Sequence, residues 1–260
     1  MRYDLVIDEM TWSYSRLTAF EECPYKWFLT YLYKDKNGNP LKRHSGFFAE
    51  FGSYIHLILQ LYLDGIIHKK DLPIFYLKHF TANVHANPPN FKVYQNYFEQ
   101  GLRYFETIDF PHNNIIGVEQ NITFTFADKP WTGFIDVVSE DSKLIITDHK
   151  SRSLKPRSKR SKKTKADEEL DEYLRQLYVY SAAVKECYGR YPDALELNCF
   201  RSQTIIQEPF EIKRYWQVED WARQQIERIT TNDNWRANPD FWRCSYLCDV
   251  CSDCECRYGR

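Results

Sequence analysis

The sequence of 260 residues lacks the features that mark a membrane protein, an exported protein or a broadly basic nucleic-acid binder. It has no run of about 18 apolar residues, so we expect no membrane-spanning helix. Its first residues, Met1–Trp12, lack the basic-then-apolar order of a signal peptide. With 35 basic and 36 acidic residues the net charge is -1, so no overall field draws the chain to nucleic acid or to a lipid surface. We therefore expect a cytoplasmic protein without membrane contact.

Two features of the composition stand out. Aromatic residues make up 17% of the chain, and five of the eight cysteines lie between Cys244 and Cys256. In a reducing cytoplasm such cysteines are thiols, and hence candidate metal ligands rather than disulfides. A chain of this length can bury about three quarters of its unfolded surface, enough for one domain over 1–260.

The order of the segments predicts a mixed α/β domain with a helical part over 13–110 and a sheet–helix core over 115–215. Apolar spacing predicts helices at Ser13–Tyr33 (broken at Cys23-Pro24), Phe47–Leu63, 92–107, 167–187 and 218–230. Short β-rich runs at 115–126, 132–139 and 144–150 predict an antiparallel meander, and 195–201 and 205–212 predict two further strands.

The meander carries the strongest signal for chemistry. Asp148 and Lys150 are two residues apart, so a strand presents both on the same face. The second turn of the meander sets Asp136 almost opposite Asp148, and the first brings Glu119 within about two residues of Asp136. Three converging carboxylates repel one another unless a cation neutralises them, and oxygen ligands suit Mg²⁺ or Mn²⁺. The alternative is a solvated sheet face with ordinary salt bridges.

Several motifs follow one another in an order that resembles a known family. The order comprises Glu119, Gly133-Phe-Ile-Asp136, Asp148-His-Lys150 and Gln176-x-x-x-Tyr180. It resembles the PD-(D/E)XK nucleases in their RecB-type subgroup. Gly52-x-x-x-His56 is similar to the helix motif by which that subgroup adds a metal-binding histidine, and the opening segment from Ser13 resembles its first helix. The cysteine tail resembles that of members with an iron–sulfur cluster, such as the AddB nuclease domain, the exonucleases of CRISPR adaptation and phage relatives.

The resemblance implies a restriction-endonuclease-like core with a divalent metal at its centre. Asp136 and Asp148 would hold Mg²⁺ or Mn²⁺, with Glu119 and His56 completing or supporting the shell. An imidazole beside carboxylates favours Mn²⁺ somewhat more than oxygens alone would. Lys150 would orient the attacking water or stabilise the transition state.

A pair on the long helix is expected to support this site. Gln176 and Tyr180 are four residues apart, so they lie one above the other on a helix face. In the family such a pair helps hold Lys150 and the DNA backbone. The alternative is an ordinary amphipathic stripe.

The segment 152–166 is the one low-complexity stretch, and we expect it to be a mobile loop. Its basic residues are Arg152, Lys155, Arg157, Lys159, Arg160, Lys162, Lys163 and Lys165, and it contains no acid. Since it follows Lys150, we expect it at the mouth of the site, where it would bind DNA phosphates in a salt-dependent way. The alternative is a solvated charged surface.

The cysteine tail is the second candidate metal site. Cys248-x-x-Cys251 is a pair that suits Zn²⁺ or an iron–sulfur cluster. The resemblance implies a structural [4Fe–4S] cluster that clamps the tail (240–260) onto the helices at 13–33. Its expected ligands are Cys23, Cys248, Cys251 and Cys256, with Cys244 and Cys254 as alternates. The alternative is zinc on Cys244, Cys248, Cys251 and Cys254, while Cys187 and Cys199 are expected to be buried thiols.

The function expected from the resemblance is a metal-dependent DNA exonuclease acting on single-stranded or frayed ends. The settings would be DNA recombination, repair or the processing of spacers. The chain has no Gly-x-x-x-x-Gly-Lys-Ser/Thr motif, so any helicase or recombination partner would be a separate protein. Two alternatives stay open: a structure-specific endonuclease, and a catalytically idle module that binds DNA or a partner.

Overall fold

The structure, a computed structural model, describes residues 3–256. In that part the helices are α1 (Asp4–Asp8), α2 (Tyr14–Glu22), α3 (Pro24–Tyr31), α4 (Phe47–Leu63), α5 (Leu72–Asn83), α6 (Phe91–Thr107), α7 (Lys165–Tyr188), α8 (Ile212–Thr230) and α9 (Phe241–Tyr246). The strands are β1 (Ile115–Phe126), β2 (Lys129–Glu140), β3 (Leu144–Lys150), β4 (Ala194–Cys199) and β5 (Thr204–Pro209). None of the described helices is long and apolar enough to cross a membrane.

The five strands form one mixed sheet in the order β1-β2-β3-β4-β5. The first three make the antiparallel meander that the sequence predicts. Helix α7 then carries the chain over the sheet, so that β4 lies parallel to β3, and β5 returns antiparallel to β4. Helices flank this sheet, and the expected mixed α/β class is confirmed.

The register between β2 and β3 is the predicted one. Val137 pairs with Thr147 and Val138 with Ile146. The same alignment sets Asp136 across from Asp148, where the two carboxylates share one face.

The register between β1 and β2 differs from the prediction by two residues. Val118 pairs with Val137, and Gln120 with Ile135, so Glu119 lies directly opposite Asp136. The hairpin turn consists of two residues, Ala127 and Asp128, both with positive φ (51° and 58°). Such a turn matches strand twist and lets pairing resume at once. The sequence prediction had placed Lys129 and Pro130 in the turn.

Capping residues fix the helices that carry site residues. Ser13 accepts a hydrogen bond from Arg16 N at the start of α2. Cys23 ends α2 and begins α3, with Pro24 in the first helical position, where its missing N–H costs nothing. At α7 a capping box joins Thr164 and Asp167, each side chain bonding the other's backbone N–H.

Two separate apolar clusters hold the fold together. The larger joins the sheet to α2, α3, α7 and α8, with Trp27 and Trp131 fully buried. The second lies among α4, α5 and α6 and includes Phe200, which follows β4. The helices of the predicted 13–110 part therefore belong to both clusters, with α4 close enough to the sheet to form one wall of a cleft.

Candidate active site

A cavity of about 790 Å³ opens between α4 and the β1–β2 hairpin, with α7 as a further wall. It gathers residues that are far apart in the sequence. His56 comes from α4, Glu119 from β1, Asp136 from β2, Asp148 and Lys150 from β3, and Gln176 and Tyr180 from α7. All seven residues that the sequence analysis proposed for metal, catalysis and support thus line one cleft.

Three side chains of the cleft are spaced to share a metal ion. His56 Nδ1 lies 3.3 Å from Glu119 Oε1 and 3.6 Å from Asp136 Oδ2. One ligand atom of each residue falls within 4.8 Å of the other two. On the far side of the ring, Nε2 lies 3.1 Å from the carbonyl oxygen of His149. A hydrogen bond there leaves Nδ1 to face the carboxylates and fixes the tautomer that a metal needs.

Asp136 is a buried carboxylate, with 8% of its surface exposed. Its Oδ2 accepts a hydrogen bond of 2.6 Å from His149 N. Burial and then the nearby charge of Asp148 raise the pKa of Asp136 to about 7. The negative charge of the cleft is therefore unfavourable on its own, and a cation would relieve it.

His56 carries a proton in this arrangement. Burial alone would lower its pKa, but the hydrogen bond to Glu119 and the charges of Asp136 and Asp148 outweigh burial and raise the pKa to about 9. Both ring nitrogens can then donate, one to a carboxylate and one to the His149 carbonyl. A metal at Nδ1 would have to displace this proton.

Asp148 and Lys150 form the most closely spaced pair in the cleft. Lys150 Nζ lies 2.7 Å from Asp148 Oδ2, an ionic contact. The buried Asp148 oxygen is thus balanced by the Lys150 ammonium group. A buried carboxylate beside two further carboxylates and an imidazole is a donor set that fits a divalent cation.

Helix α7 holds the lysine in place. Lys150 donates a hydrogen bond of 2.9 Å to Gln176 Oε1, and Gln176 Nε2 lies 3.4 Å from the Tyr180 hydroxyl. Burial would lower the pKa of Lys150, but the charge of Asp148 raises it above its ordinary value. The ammonium group is thus charged and held between β3 and α7.

Glu119 reaches the cleft from a strained backbone. Its φ is 43°, which is unusual for a residue other than glycine and rarer still within a strand. Such strain costs on the order of 1–3 kcal/mol and is frequent where a side chain must be aimed at a site. Here it accompanies the contact of Glu119 with His56.

The sequence analysis did not single out several other residues that line the cleft. They include Ser13 and Ser15 at the start of α2, Leu57 on α4, and Thr132 and Phe134 on β2. Strand alternation could have found Phe134, since it lies two residues before Asp136 and shares its face. The resemblance places the two serines at the family's first helix but gives them no role in the site, because α2 meets the cleft only through the tertiary fold.

None of the residues of the basic segment lines the cleft, and its place at the mouth of the site stays a prediction. Arg157 pairs with Asp171 and Glu208, and Lys163 with Asp171, so these contacts hold the segment against α7 and β5.

The start of the basic segment is anchored, because Arg152 pairs with Glu169 and Leu154 is buried. The residues that are exposed and make no ion pair with a described residue are Lys155, Lys159, Arg160, Lys162 and Lys165. Their binding to DNA and the mobility of the segment stay predictions.

The cysteines of both chain ends meet at a second site. Cys23, Cys244, Cys248, Cys254 and Cys256 line one pocket, and Cys251 lines the cavity beside it. Cys23 Sγ accepts hydrogen bonds from the backbone N–H of Lys26 (3.4 Å) and of Asn238 (3.3 Å). Both proposed alternates thus share the pocket with Cys23, and the choice of ligands stays a prediction.

The segment before the tail cysteines packs on the first helices. Trp235 stacks on Trp27 with ring centroids 5.2 Å apart, and Asn238 donates to the carbonyl oxygen of Glu22. The last four residues of the predicted tail, 257–260, lie outside the described residues. Of the two remaining cysteines, Cys199 is buried as expected, but Cys187 is exposed near the end of α7.

Comparison with known families supports the same reading of the chain. No match to a curated protein reaches significance. The family model described as the PD-(D/E)XK nuclease superfamily matches residues 11–257. That range includes every residue of the cleft and all the cysteines, so it covers both sites described above. The chain therefore belongs to the PD-(D/E)XK nuclease superfamily.

Proposed function

We propose that the protein is a DNA exonuclease of the RecB type that hydrolyses phosphodiester bonds at single-stranded or frayed ends with Mg²⁺ or Mn²⁺. Membership of the superfamily implies a metal-dependent nuclease with DNA as its substrate. The observation that carries the proposal is the cleft itself. There His56, Glu119 and Asp136 can share an ion while Lys150 lies beside Asp148.

Four side chains of the cleft would hold the ion, and a fifth would stabilise charge. Asp136, Asp148, Glu119 and His56 Nδ1 would hold the ion, which supplies positive charge at the scissile phosphate and an acidified water. Lys150, held by Asp148 and Gln176, keeps its ammonium group in the cleft and would stabilise the negative charge that develops on the phosphate.

The RecB-type assignment draws on two further observations. His56 stands in the Gly52-x-x-x-His56 motif, and its ring lies 3.6 Å from Asp136. Cys23 shares a pocket with four tail cysteines, as a cluster that joins the two chain ends would require. With no ATP-binding loop motif in the chain, any unwinding of duplex DNA would need a separate helicase or recombination protein.

For the cysteine site we propose a structural [4Fe–4S] cluster, with zinc as the alternative. Tetrahedral zinc needs thiolate sulfurs about 3.8 Å apart, but no three cysteine Sγ atoms of the described residues lie within 4.8 Å of one another. The order of Cys23-Pro24 and the tail cysteines supports the cluster.

Digestion of linear and circular single-stranded DNA tests the proposal. The linear strand carries an end label, Mn²⁺ is present, and wild type is compared with Asp136→Asn. Glu106→Gln, an exposed carboxylate outside the cleft, is the matched control. We expect wild type and Glu106→Gln to degrade the linear strand and spare the circle, and Asp136→Asn to be inactive.

Each other outcome selects one of the alternatives. Cleavage of the circle identifies an endonuclease. Binding of DNA without cleavage under any metal condition identifies an idle module.

A further inference from the structure

The exposed aromatic ring of Phe134 lies in the cleft with the carboxylates, and the proposed metal-binding and charge-stabilising roles do not involve it. Phe134 lies on β2, two residues before Asp136, so both side chains emerge from one face of the strand. Its side chain is 55% exposed and lines the cleft. It makes no ring contact with any residue between 3 and 256. A large apolar side chain left in water contributes little to the core, and its place in the cleft beside buried acids makes it available to a ligand of that cleft.

The other aromatic rings of the cleft wall are already engaged. Tyr180 is buried against Gly133 and lies 3.4 Å from Gln176 Nε2. Phe48 packs on Tyr97 at 5.2 Å between ring centroids. The apolar surface that stays free belongs to Phe134 and to Leu57, which follows His56 on α4 and is 39% exposed.

The distance from Phe134 to the carboxylates suits one nucleotide. Residues two apart on a strand are about 6.6 Å apart, similar to the separation of a phosphate from its own base. A phosphate at Asp136 would therefore bring a neighbouring base over the Phe134 ring. The face of a base is free for such stacking only where the base is unpaired, because in a duplex its neighbours cover it.

We propose that Phe134, with Leu57 beside it, stacks on the base next to the scissile phosphate and gives the site its preference for unpaired DNA. This inference rests on the proposed nuclease function and names the residue that selects the form of the substrate. Asp136 and Asp148 would act through the metal ion and Lys150 on the phosphate, so none of them distinguishes paired from unpaired bases.

The test compares Phe134→Ala with Phe134→Trp, which keeps a stacking face, and with Phe91→Ala, an exposed aromatic outside the cleft. One readout is kcat/KM on a single strand and on the same strand with abasic sites near its end. The other is quenching of 2-aminopurine placed at those positions, with Ca²⁺ as the metal. We expect Phe134→Ala to lose about 5- to 100-fold in kcat/KM on the intact strand. The same variant should lose little kcat/KM on the abasic strand, and its binding should no longer quench 2-aminopurine.

Phe134→Trp and Phe91→Ala should behave like wild type, and a fully paired blunt duplex should be cut equally slowly by all four proteins. If wild type cleaves DNA but Phe134→Ala cleaves both strands at the wild-type rate, the stacking role is wrong and the nuclease stands. If no protein cleaves DNA but quenching still depends on Phe134, the stacking role stands and the nuclease is wrong. If wild type neither cleaves DNA nor quenches 2-aminopurine, both proposals are wrong.

Discussion

His56 lies between two carboxylates and a backbone carbonyl, and this placement couples metal binding to protons. In the metal-free cleft its pKa is raised to about 9, so it is protonated at neutral pH. A metal ion and a proton compete for Nδ1, and the proton wins more often as the pH falls. Asp136, with its pKa raised to about 7, adds a second competing proton below neutrality.

We therefore expect Mn²⁺ to bind more tightly as the pH rises, by about tenfold per unit between pH 7 and pH 8 and more steeply below pH 7, with about one proton released near pH 7.5. Calorimetry in two buffers of different ionisation enthalpy measures both quantities. His56→Gln should bind more weakly and release less than half a proton at that pH. An affinity that does not change with pH would contradict the assignment of His56 as a ligand.

The contact between β2 and α7 sets the position of Lys150. Gly133 faces Tyr180, and a Cβ added at Gly133 would lie 2.7 Å from the Tyr180 ring. Any side chain there must push Tyr180 away, and with it Gln176 and the hydrogen bond to Lys150. Gly133 does not have a positive φ, so its backbone conformation does not require glycine. The close approach of Tyr180 is what requires it.

We expect Gly133→Ala to lower the free energy of unfolding by about 1–3 kcal/mol and to reduce kcat. Gly52→Ala is the matched control, because nothing lies within 4 Å of its added Cβ and α4 gains helix propensity. That change should stabilise the protein by roughly 0.5–1 kcal/mol. Urea unfolding of both variants checks the pair. Equal stability of Gly133→Ala and wild type would show that Tyr180 does not pack as described.

Local patterns predicted most of the elements but not their tertiary environment. The densely apolar run Phe47–Leu63 and the short β-rich runs of the meander recur as α4 and β1–β3. The exact opposition of Glu119 and Asp136 was missed, because Ala127 and Asp128 give no glycine or asparagine signal for a two-residue turn.

The basic segment shows the limit of reading charge from sequence. Its composition is that of a free loop, but Asp171 and Glu208 lie beyond the segment in the chain and reach it only in the fold. The same applies to Phe134, whose exposure depends on how α4 stands above the sheet. Partners that are distant in sequence therefore explain both the ion pairs of the segment and the exposure of Phe134.

At the scale of the whole molecule, the cysteine site joins the two ends of the chain. Cys23 at the start of α3 meets cysteines more than 200 residues later. A cluster there would act as a crosslink that closes a very long loop, and such crosslinks stabilise by about 2–4 kcal/mol.

We expect anaerobically purified protein to be brown and to contain iron, and Cys23→Ser to lose both properties. Its unfolding temperature should fall by roughly 5–15 °C. Cys187→Ser, at an exposed thiol far along the chain from the tail, should match wild type. Colourless protein with one zinc per chain would replace the cluster by the zinc site.

We infer that the cleft lined by α4, the β1–β2 hairpin and α7 hydrolyses DNA with Lys150 as a charge-stabilising group. The most direct test is the single-turnover rate of cleavage of a linear single strand with saturating Mn²⁺. Lys150→Ala should be slower than wild type by about 10²- to 10³-fold, whereas Lys143→Ala, an exposed lysine at the β2–β3 turn, should be unchanged. Equal rates for Lys150→Ala and wild type would contradict this role of Lys150.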